Sequence, residues 1–347
     1  MEYQNHATIL QGVGGRYTLR LDGPPDSQHP LGGRQVICRA KGSFRHAGLT
    51  PLPGDRVTVT YDDSSFSRSG GGPDSLPEGV EECIPSPDGT GIRIQDILPR
   101  KNVLIRPPMA NLDVMFVTMA CASPEPLLPT FDRLIAIAEH HHTEPVILVT
   151  KADLDPARAN ALSDLYRQAG FQVFTVSCTT GAGIGDVRQY IHSALPGKTA
   201  AFAGTSGVGK STLLNHLFPS LARLTGSISK KNERGRHTTR EITLFPLGEL
   251  LDRHAAANDG FLADTPGFSL LDFVRFDFFG KEDLPDTMRD FRPYLGQCRY
   301  QDCTHTKEEG CAVLAAVRRG ELARSRHESY LSMYTDLKDK HPWDRKK

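Results

Sequence analysis

No apolar run in this chain of 347 residues is long enough to cross a membrane. The longest, such as 114–122, fall far short of the roughly 20 residues a spanning helix needs. Net charge is also missing, with 41 basic side chains against 41 acidic ones, so total charge names no class of partner. The seven cysteines are odd in number and irregularly placed, which excludes a disulfide framework and suits a reducing compartment. The opening residues, MEYQNHATIL, carry no charged segment followed by an apolar one, so a cleaved secretory signal is not expected. These absences predict a cytoplasmic protein with no membrane partner.

What the chain does have is length enough for two or three cores and an uneven distribution of charge. Residues 34–56 hold five basic side chains against Asp55, 223–240 hold six against Glu233, and 318–347 hold nine against five. Each run taken singly reads as a solvated face. Three of them in a neutral chain point to a polyanionic partner.

The first hundred residues contain short β-type runs at 16–21, 35–41, 56–61 and 92–98, bounded by Gly, Pro or Asp, with no helical period. They predict a small β-barrel. The polar segment 62–79, rich in Ser, Gly and Pro, is too long for a hairpin turn and is expected to be a mobile loop. From about residue 110 the texture changes. Apolar runs at 113–119, 146–149, 171–176 and 199–203 alternate with helical patterns at 130–141, 157–168, 187–195 and 210–217, followed by a β-like stretch at 241–247. Alternation of this kind predicts a parallel sheet covered by helices. Beyond about 276 the chain turns aromatic and charged, then helical from 312. The expected domains are therefore 1–105, a β-barrel; 106–275, α/β; and 276–347, a small metal-bearing helical end.

Gly204-Thr205-Ser206-Gly207-Val208-Gly209-Lys210-Ser211, followed by Thr212, is a complete P-loop between an apolar strand and a helix. Backbone N–H groups of such a turn cradle phosphates, and the helix N-terminus favours negative charge. Lys210 would reach the β- and γ-phosphates, and the Ser211 hydroxyl would bind Mg²⁺. Asp264-Thr-Pro-Gly267 follows a short apolar run downstream; a D-x-x-G there puts an acid near Mg²⁺ and a glycine N–H near the γ-phosphate. Thr150-Lys151-Ala152-Asp153 ends another strand and resembles the N-K-x-D element that reads guanine. Asp153 would accept two hydrogen bonds from the guanine edge, and the wrong base would leave that carboxylate unpaired. Lys151 would lie along the base plane. Thr150 stands where Asn is usual, which predicts a less rigid loop with guanine choice retained. Ser177-Cys178 matches the weaker S-A-x element, with a backbone N–H for the guanine O6.

The order of these motifs is unusual. The base-reading elements precede the P-loop and D-x-x-G follows it, so the chain is predicted to be a circularly permuted GTPase. Gly235-Arg-His237-Thr238-Thr239 occupies the place of the first switch, where Thr238 or Thr239 would add a Mg²⁺ ligand; the residues themselves do not choose. Phe268 follows D-x-x-G where a water-orienting Gln is common. Hydrolysis is then expected to be slow alone, with His237 the nearby candidate for positioning water. The catalytic candidates are His237, Thr238, Thr239 and Lys210.

Cys298, Cys303, His305 and Cys311 place three thiols and an imidazole within fourteen residues. Soft sulfur with one nitrogen suits tetrahedral Zn²⁺, and four protein ligands leave no open position, so the metal would be structural.

Together TKAD, GTSGVGKS, GRHTT, DTPGF and the cysteine–histidine cluster resemble the RsgA (YjeQ) family of ribosome small subunit-dependent GTPases. KGSF and PLPGDRV in the β-rich start resemble that family's OB barrel. The resemblance implies binding of GTP and GDP with Mg²⁺ and one Zn²⁺ per chain. It also implies a monomeric factor that meets the small ribosomal subunit and its rRNA late in maturation, is stimulated by it, and leaves on hydrolysis. A rival reading is a GTP-regulated RNA-binding or scaffold protein whose hydrolysis is incidental. OB barrels bind nucleic acid on a strand face, and Arg39, Lys41, Phe44 and Arg45 are suitably mixed for that.

Overall fold

The structure, a computed structural model, describes residues 2–24, 31–40, 44, 48–62, 80–82, 91–105, 108–221, 242–251, 260–264 and 279–338. The predicted loop beyond residue 62, the GRHTT segment with His237, Thr238 and Thr239, and Gly267 and Phe268 of DTPGF lie outside the described residues.

Alternating side chains build the first layer. Strands β1 (Glu2–Val13), β2 (Arg16–Leu21), β3 (Gln35–Ala40), β4 (Arg56–Asp62), β5 (Val80–Glu82) and β6 (Arg93–Ile97) form one sheet in the order β2-β1-β4-β6-β3-β5. A further β2–β3 pairing closes five of them into a barrel, with β5 added beside β3. Register puts apolar partners opposite each other on the inner side, as in Leu19↔Val36, Ala7↔Val57 and Val59↔Ile94. These six residues are buried, and each fully buried aliphatic chain contributes about 1.5–3 kcal/mol. Phe44 belongs to this core. Its ring is therefore no stacking platform for a base, contrary to the sequence reading, while Lys41 and Arg45 lie outside the described residues.

The PLPGDRV motif is a turn locked from within. A Cβ on Gly54, at φ +88°, would stand 2.0 Å from the Ala110 carbonyl oxygen, so only glycine fits. The fully buried Asp55 accepts Arg100 Nε at 2.6 Å, Arg100 Nη2 at 2.7 Å and the Leu52 N–H at 2.7 Å. Strands β7 (Val103–Ile105) and β8 (Pro108–Ala110) pair as a hairpin.

The α/β portion follows as β9 (Val114–Ala120), α1 (Leu128–His140), β10 (Glu144–Thr150), α2 (Pro156–Gln168), β11 (Gln172–Thr175), α3 (Ile184–Ala194), β12 (Thr199–Gly204), α4 (Lys210–Leu217), β13 (Thr243–Pro246) and β14 (Phe261–Asp264). Every residue of β9 and β12 is buried, as befits strands covered on both faces. β10 pairs in parallel with β9 and with β11. Residues 199–201 of β12 pair in parallel with β14. β13 departs from the all-parallel expectation, running antiparallel to β14. Helix α2 begins where Asp155 accepts the Arg158 N–H at 2.9 Å and Pro156 opens the first turn.

The chain groups into two compact units, one of residues 1–112, 195–201 and 220–266, the other of 113–194, 202–219 and 267–347. In the first, Arg20 pairs with Glu249 at 2.7 Å. In the second, helix α5 (Ala312–Arg319) precedes α6 (Arg324–Leu337), and α6 is joined to α1 by buried charge. Arg326, 1% exposed, bonds Asp132 at 2.5 Å and Asp290 at 2.9 and 3.1 Å. Its guanidinium also stands 5.7 Å from the Tyr166 ring centroid and 5.6 Å from that of Phe171. Arg289 adds Glu139 at 2.7 Å and Glu144 at 2.9 Å, and Arg292 adds Glu139 at 2.6 Å. Part of the basic C-terminal run is thus internal, where the sequence suggested only a surface.

Burial pushes the Asp132 carboxyl up, and the Arg326 charge draws it back. Arg326→Ala would leave Asp132 buried without its counter-charge. The expected loss is about 3–5 kcal/mol, measured as a lower urea midpoint of the purified chain.

Candidate nucleotide site and metal centre

The phosphate end is set by glycine. A Cβ on Gly204, at φ +156°, would lie 2.5 Å from the Thr118 carbonyl oxygen, so β12 turns here only without a side chain. Gly209, at φ +90°, starts the eight-residue helix α4. Val208 is buried, while Ser206 and Gly207, Ser211 and Thr212 face outward, and Thr205 and Lys210 are half-buried. This is a strand, a glycine-rich turn and a helix N-terminus, the arrangement that holds phosphate oxygens.

The base end is tied to it. Thr150, 2% exposed at the end of β10, donates its hydroxyl hydrogen to the Val208 carbonyl at 2.5 Å. The residue that departs from the usual Asn therefore makes the loop-to-loop bond itself. Lys151 takes a positive φ of 57°, accepts the Cys121 thiol on its carbonyl at 3.0 Å, and donates its ammonium to the Ser123 carbonyl. Residues 121–125 are pinned again by the Arg158–Glu125 ion pair.

Asp153 is exposed, and its Oδ1 accepts the buried Ser177 hydroxyl at 2.6 Å. That hydroxyl also accepts the Thr180 N–H at 3.1 Å. The Ser177 bond holds the Asp153 carboxyl below the usual carboxylate range, so it stays ionised and oriented as an acceptor. Cys178 lies beside it, half-buried, its thiol pushed up by burial and by the Asp153 charge. The Cys121, Ser123 and Glu125 contacts escaped sequence reasoning because each is long-range and no local pattern marks it. Asp264 ends β14, the strand paired with 199–201.

The predicted metal ligands converge. Single ligand atoms of Cys298, Cys303, His305 and Cys311 all lie within 4.8 Å of one another. His305 Nδ1 stands 3.5 Å from the sulfurs of both Cys298 and Cys311, which are 4.0 Å apart. Tetrahedral Zn²⁺ with its usual bond lengths needs sulfurs about 3.8 Å apart, so the residues fit one zinc. Amide hydrogens of Ala312 and Leu314 point at the Cys298 and Cys311 sulfurs, at 3.4 and 3.5 Å, a setting that suits thiolates. Burial pushes the Cys303 thiol up to about 12 and draws the His305 imidazole below its ordinary value; a bound cation reverses the thiol preference.

Around the ligands the loop is braced. The His305 carbonyl is bonded by His327 Nε2 at 2.8 Å, and Tyr330 donates to the Thr304 carbonyl at 2.7 Å. Burial works against ionising Glu308, but the Thr304 hydroxyl and the Thr304, Thr306 and Lys307 amides outweigh it and hold the carboxyl at about 2.

Base-reading elements before a P-loop, and a D-x-x-G strand after it, define a circularly permuted P-loop GTPase. Comparison with known proteins agrees. Residues 8–67 match the RsgA N-terminal domain and residues 97–274 the RsgA GTPase. The chain is 34% identical over 331 residues to the small ribosomal subunit biogenesis GTPase RsgA of Ruminiclostridium cellulolyticum, covering 95% of this chain and 93% of that one. The protein of the same name from Moorella thermoacetica is 35% identical over 330 residues, 95% and 96% of the two chains. The crystal structure of YjeQ from Thermotoga maritima superposes with a TM-score of 0.71 at 27% identity, covering 97% of this chain and all of that one. YloQ, described as a circularly permuted GTPase, gives 0.69 at 27% identity over 98% and 97% of the two chains. The chain belongs to the RsgA GTPase family and is a GTPase. Membership implies guanine nucleotide and Mg²⁺. Among the described residues no helix is long and apolar enough to cross a membrane.

Asp153→Asn would turn one acceptor into a donor facing donors. The preference for GTP over ATP is expected to fall roughly ten-fold or more, measured by competition binding. Thr150→Val, which keeps the shape and removes the hydroxyl, should weaken GTP binding about five-fold in the same assay. Metal analysis of purified protein should find about one zinc per chain, and Cys303→Ser should lose it with a loosened C-terminal segment.

Proposed function

We propose that this chain binds the small ribosomal subunit in its GTP form, acts late in subunit maturation, and leaves when GTP is hydrolysed. One observation carries the nucleotide part: the guanine-reading carboxylate is oriented by Ser177, and its loop is bonded to the P-loop through Thr150. Base and phosphates would then be read in one rigid frame. The ribosomal part is supported by the relatives, which carry the name small ribosomal subunit biogenesis GTPase.

In this reading Lys210 neutralises the β- and γ-phosphates while Gly204 through Gly209 supply backbone donors. Ser211 and Thr238 or Thr239 ligate Mg²⁺, and Asp264 acts on it through water. The Gly267 N–H meets the γ-phosphate. Lys151, Asp153, Ser177 and Cys178 surround the base. With Phe268 in place of a water-orienting glutamine, His237 positions the attacking water, and the subunit supplies what the chain lacks. Residues 1–105 form an rRNA-binding barrel, 106–275 the GTPase domain, and 276–347 a zinc domain held together by Cys298, Cys303, His305 and Cys311. The chain works as a cytoplasmic monomer.

Purified small subunits added to a GTPase assay should raise the rate well above that of the chain alone, and Lys210→Ala should abolish hydrolysis with and without them. A rate indifferent to subunits would overturn this reading and favour the rival in which hydrolysis is incidental.

A further inference from the structure

Ser123, Pro124 and Glu125 follow the fully buried strand β9, and all three are exposed. So short an exposed stretch buries little apolar area, and polar contacts must hold it in place. Two contacts do so. The Lys151 ammonium donates to the Ser123 carbonyl, and Arg158 forks both carboxylate oxygens of Glu125, through Nη1 at 2.9 Å and through Nη2. Ser123 and Lys151, the two ends of the first contact, both take positive φ, 50° and 57°. Residues other than glycine adopt that backbone rarely and at a cost, and such residues cluster at ligand clamps.

The segment touches both loops assigned above to the nucleotide. On the base side, the Cys121 thiol and the Cys121 N–H bond the carbonyls of Lys151 and Thr150, each at 3.0 Å. On the phosphate side, a Cβ on Gly207 would meet Pro124 Cδ at 3.8 Å, an ordinary contact distance. A Cβ on Gly209 would meet Lys151 Cε at 3.9 Å, so the Lys151 side chain runs past the P-loop on its way to Ser123.

Arg158 is misplaced for the stability of its own helix. It lies in the first turn of α2, where the helix dipole favours acids and disfavours cations, and that turn holds no acid. Its backbone N–H is already used on the Asp155 cap at 2.9 Å. Its guanidinium reaches back 33 residues to Glu125, and that hydrogen bonding holds the Glu125 carboxyl below its ordinary value.

We infer that Arg158 and Glu125 are positioning residues for the guanine nucleotide: their ion pair clasps residues 123–125 against Lys151 and the P-loop, and so slows nucleotide release. In the reading that gives Lys151 and Asp153 to the base, on which this assignment rests, neither Arg158 nor Glu125 touches the nucleotide. Both act through Ser123 and Lys151. An exposed pair is weak and screened by salt, so the clasp is one that opens readily and closes again.

The test is stopped-flow release of a fluorescent GDP analogue carrying an N-methylanthraniloyl group, from the full chain with Mg²⁺, at low and high salt. Glu125→Gln and Arg158→Gln should each release it about two- to five-fold faster at low salt, and the difference should fade as salt rises. The double variant should be no faster than either single one, because both changes open the same pair. A purely structural role for either side chain would give neither the salt dependence nor the shared effect.

Release at the wild-type rate in either single variant would overturn the inference. So would additive acceleration in the double variant, or acceleration that high salt leaves intact. If the glutamine variants release at the wild-type rate while Asp153→Asn relaxes the preference for GTP over ATP, the clasp alone fails. If Asp153→Asn leaves that preference intact while the glutamine variants still speed release, the assignment of Asp153 alone fails.

Discussion

The hydrogen bond from Thr150 to the Val208 carbonyl joins the two loops proposed to recognise the nucleotide. The loop proposed to read guanine and the P-loop leave the ends of different strands, and the bonded residues are 58 apart in the chain. Nothing in either loop alone fixes its distance from the other. A buried hydroxyl bonded to a buried carbonyl does, because leaving either group unpaired away from water costs more than the bond itself supplies. Asp153 and Ser177 extend the frame on one side, and the Cys121–Lys151 and Lys151–Ser123 contacts extend it on the other.

A second constraint comes from charge taken out of water. Arg326 holds Asp132 and Asp290 together between α1 and the C-terminal segment, and Arg289 and Arg292 repeat the theme on Glu139 and Glu144. Ion pairs of this kind add little net stability against an apolar alternative, but they tolerate few other arrangements. They therefore set where the segment carrying the thiol–imidazole cluster sits on α1, while that cluster would organise the segment internally on binding a metal. The His327 and Tyr330 bonds to backbone carbonyls at 305 and 304 connect the two, since both residues lie on the same helix as Arg326.

Much of this was legible in the residues. The glycine pattern of the P-loop, the buried runs of β9 and β12, and the thiol–imidazole spacing each depend on local geometry that a linear pattern records. The long first strand was not legible, since its alternation is broken by a bulge between Ile9 and Gln11. β13 lies within the β-like stretch read at 241–247, but its antiparallel direction was not legible, because strand direction depends on the partner. Phe44 looked like a surface aromatic beside basic neighbours and is core, because one strong apolar ring in a polar stretch is drawn inward.

By itself the sequence determined the chemistry: which groups can cradle phosphate, accept from guanine, hold zinc, and in what permuted order they arrive. Tertiary structure alone decided which of those groups share a frame. Thr150 became a tie and not a weakness because Val208 came within reach. Arg326 became buried cement because Asp132 and Asp290 converged on it. The reason is physical: composition and spacing carry the identity of a group, whereas the free energy of a hydrogen bond or a charge depends on neighbours that only folding brings together.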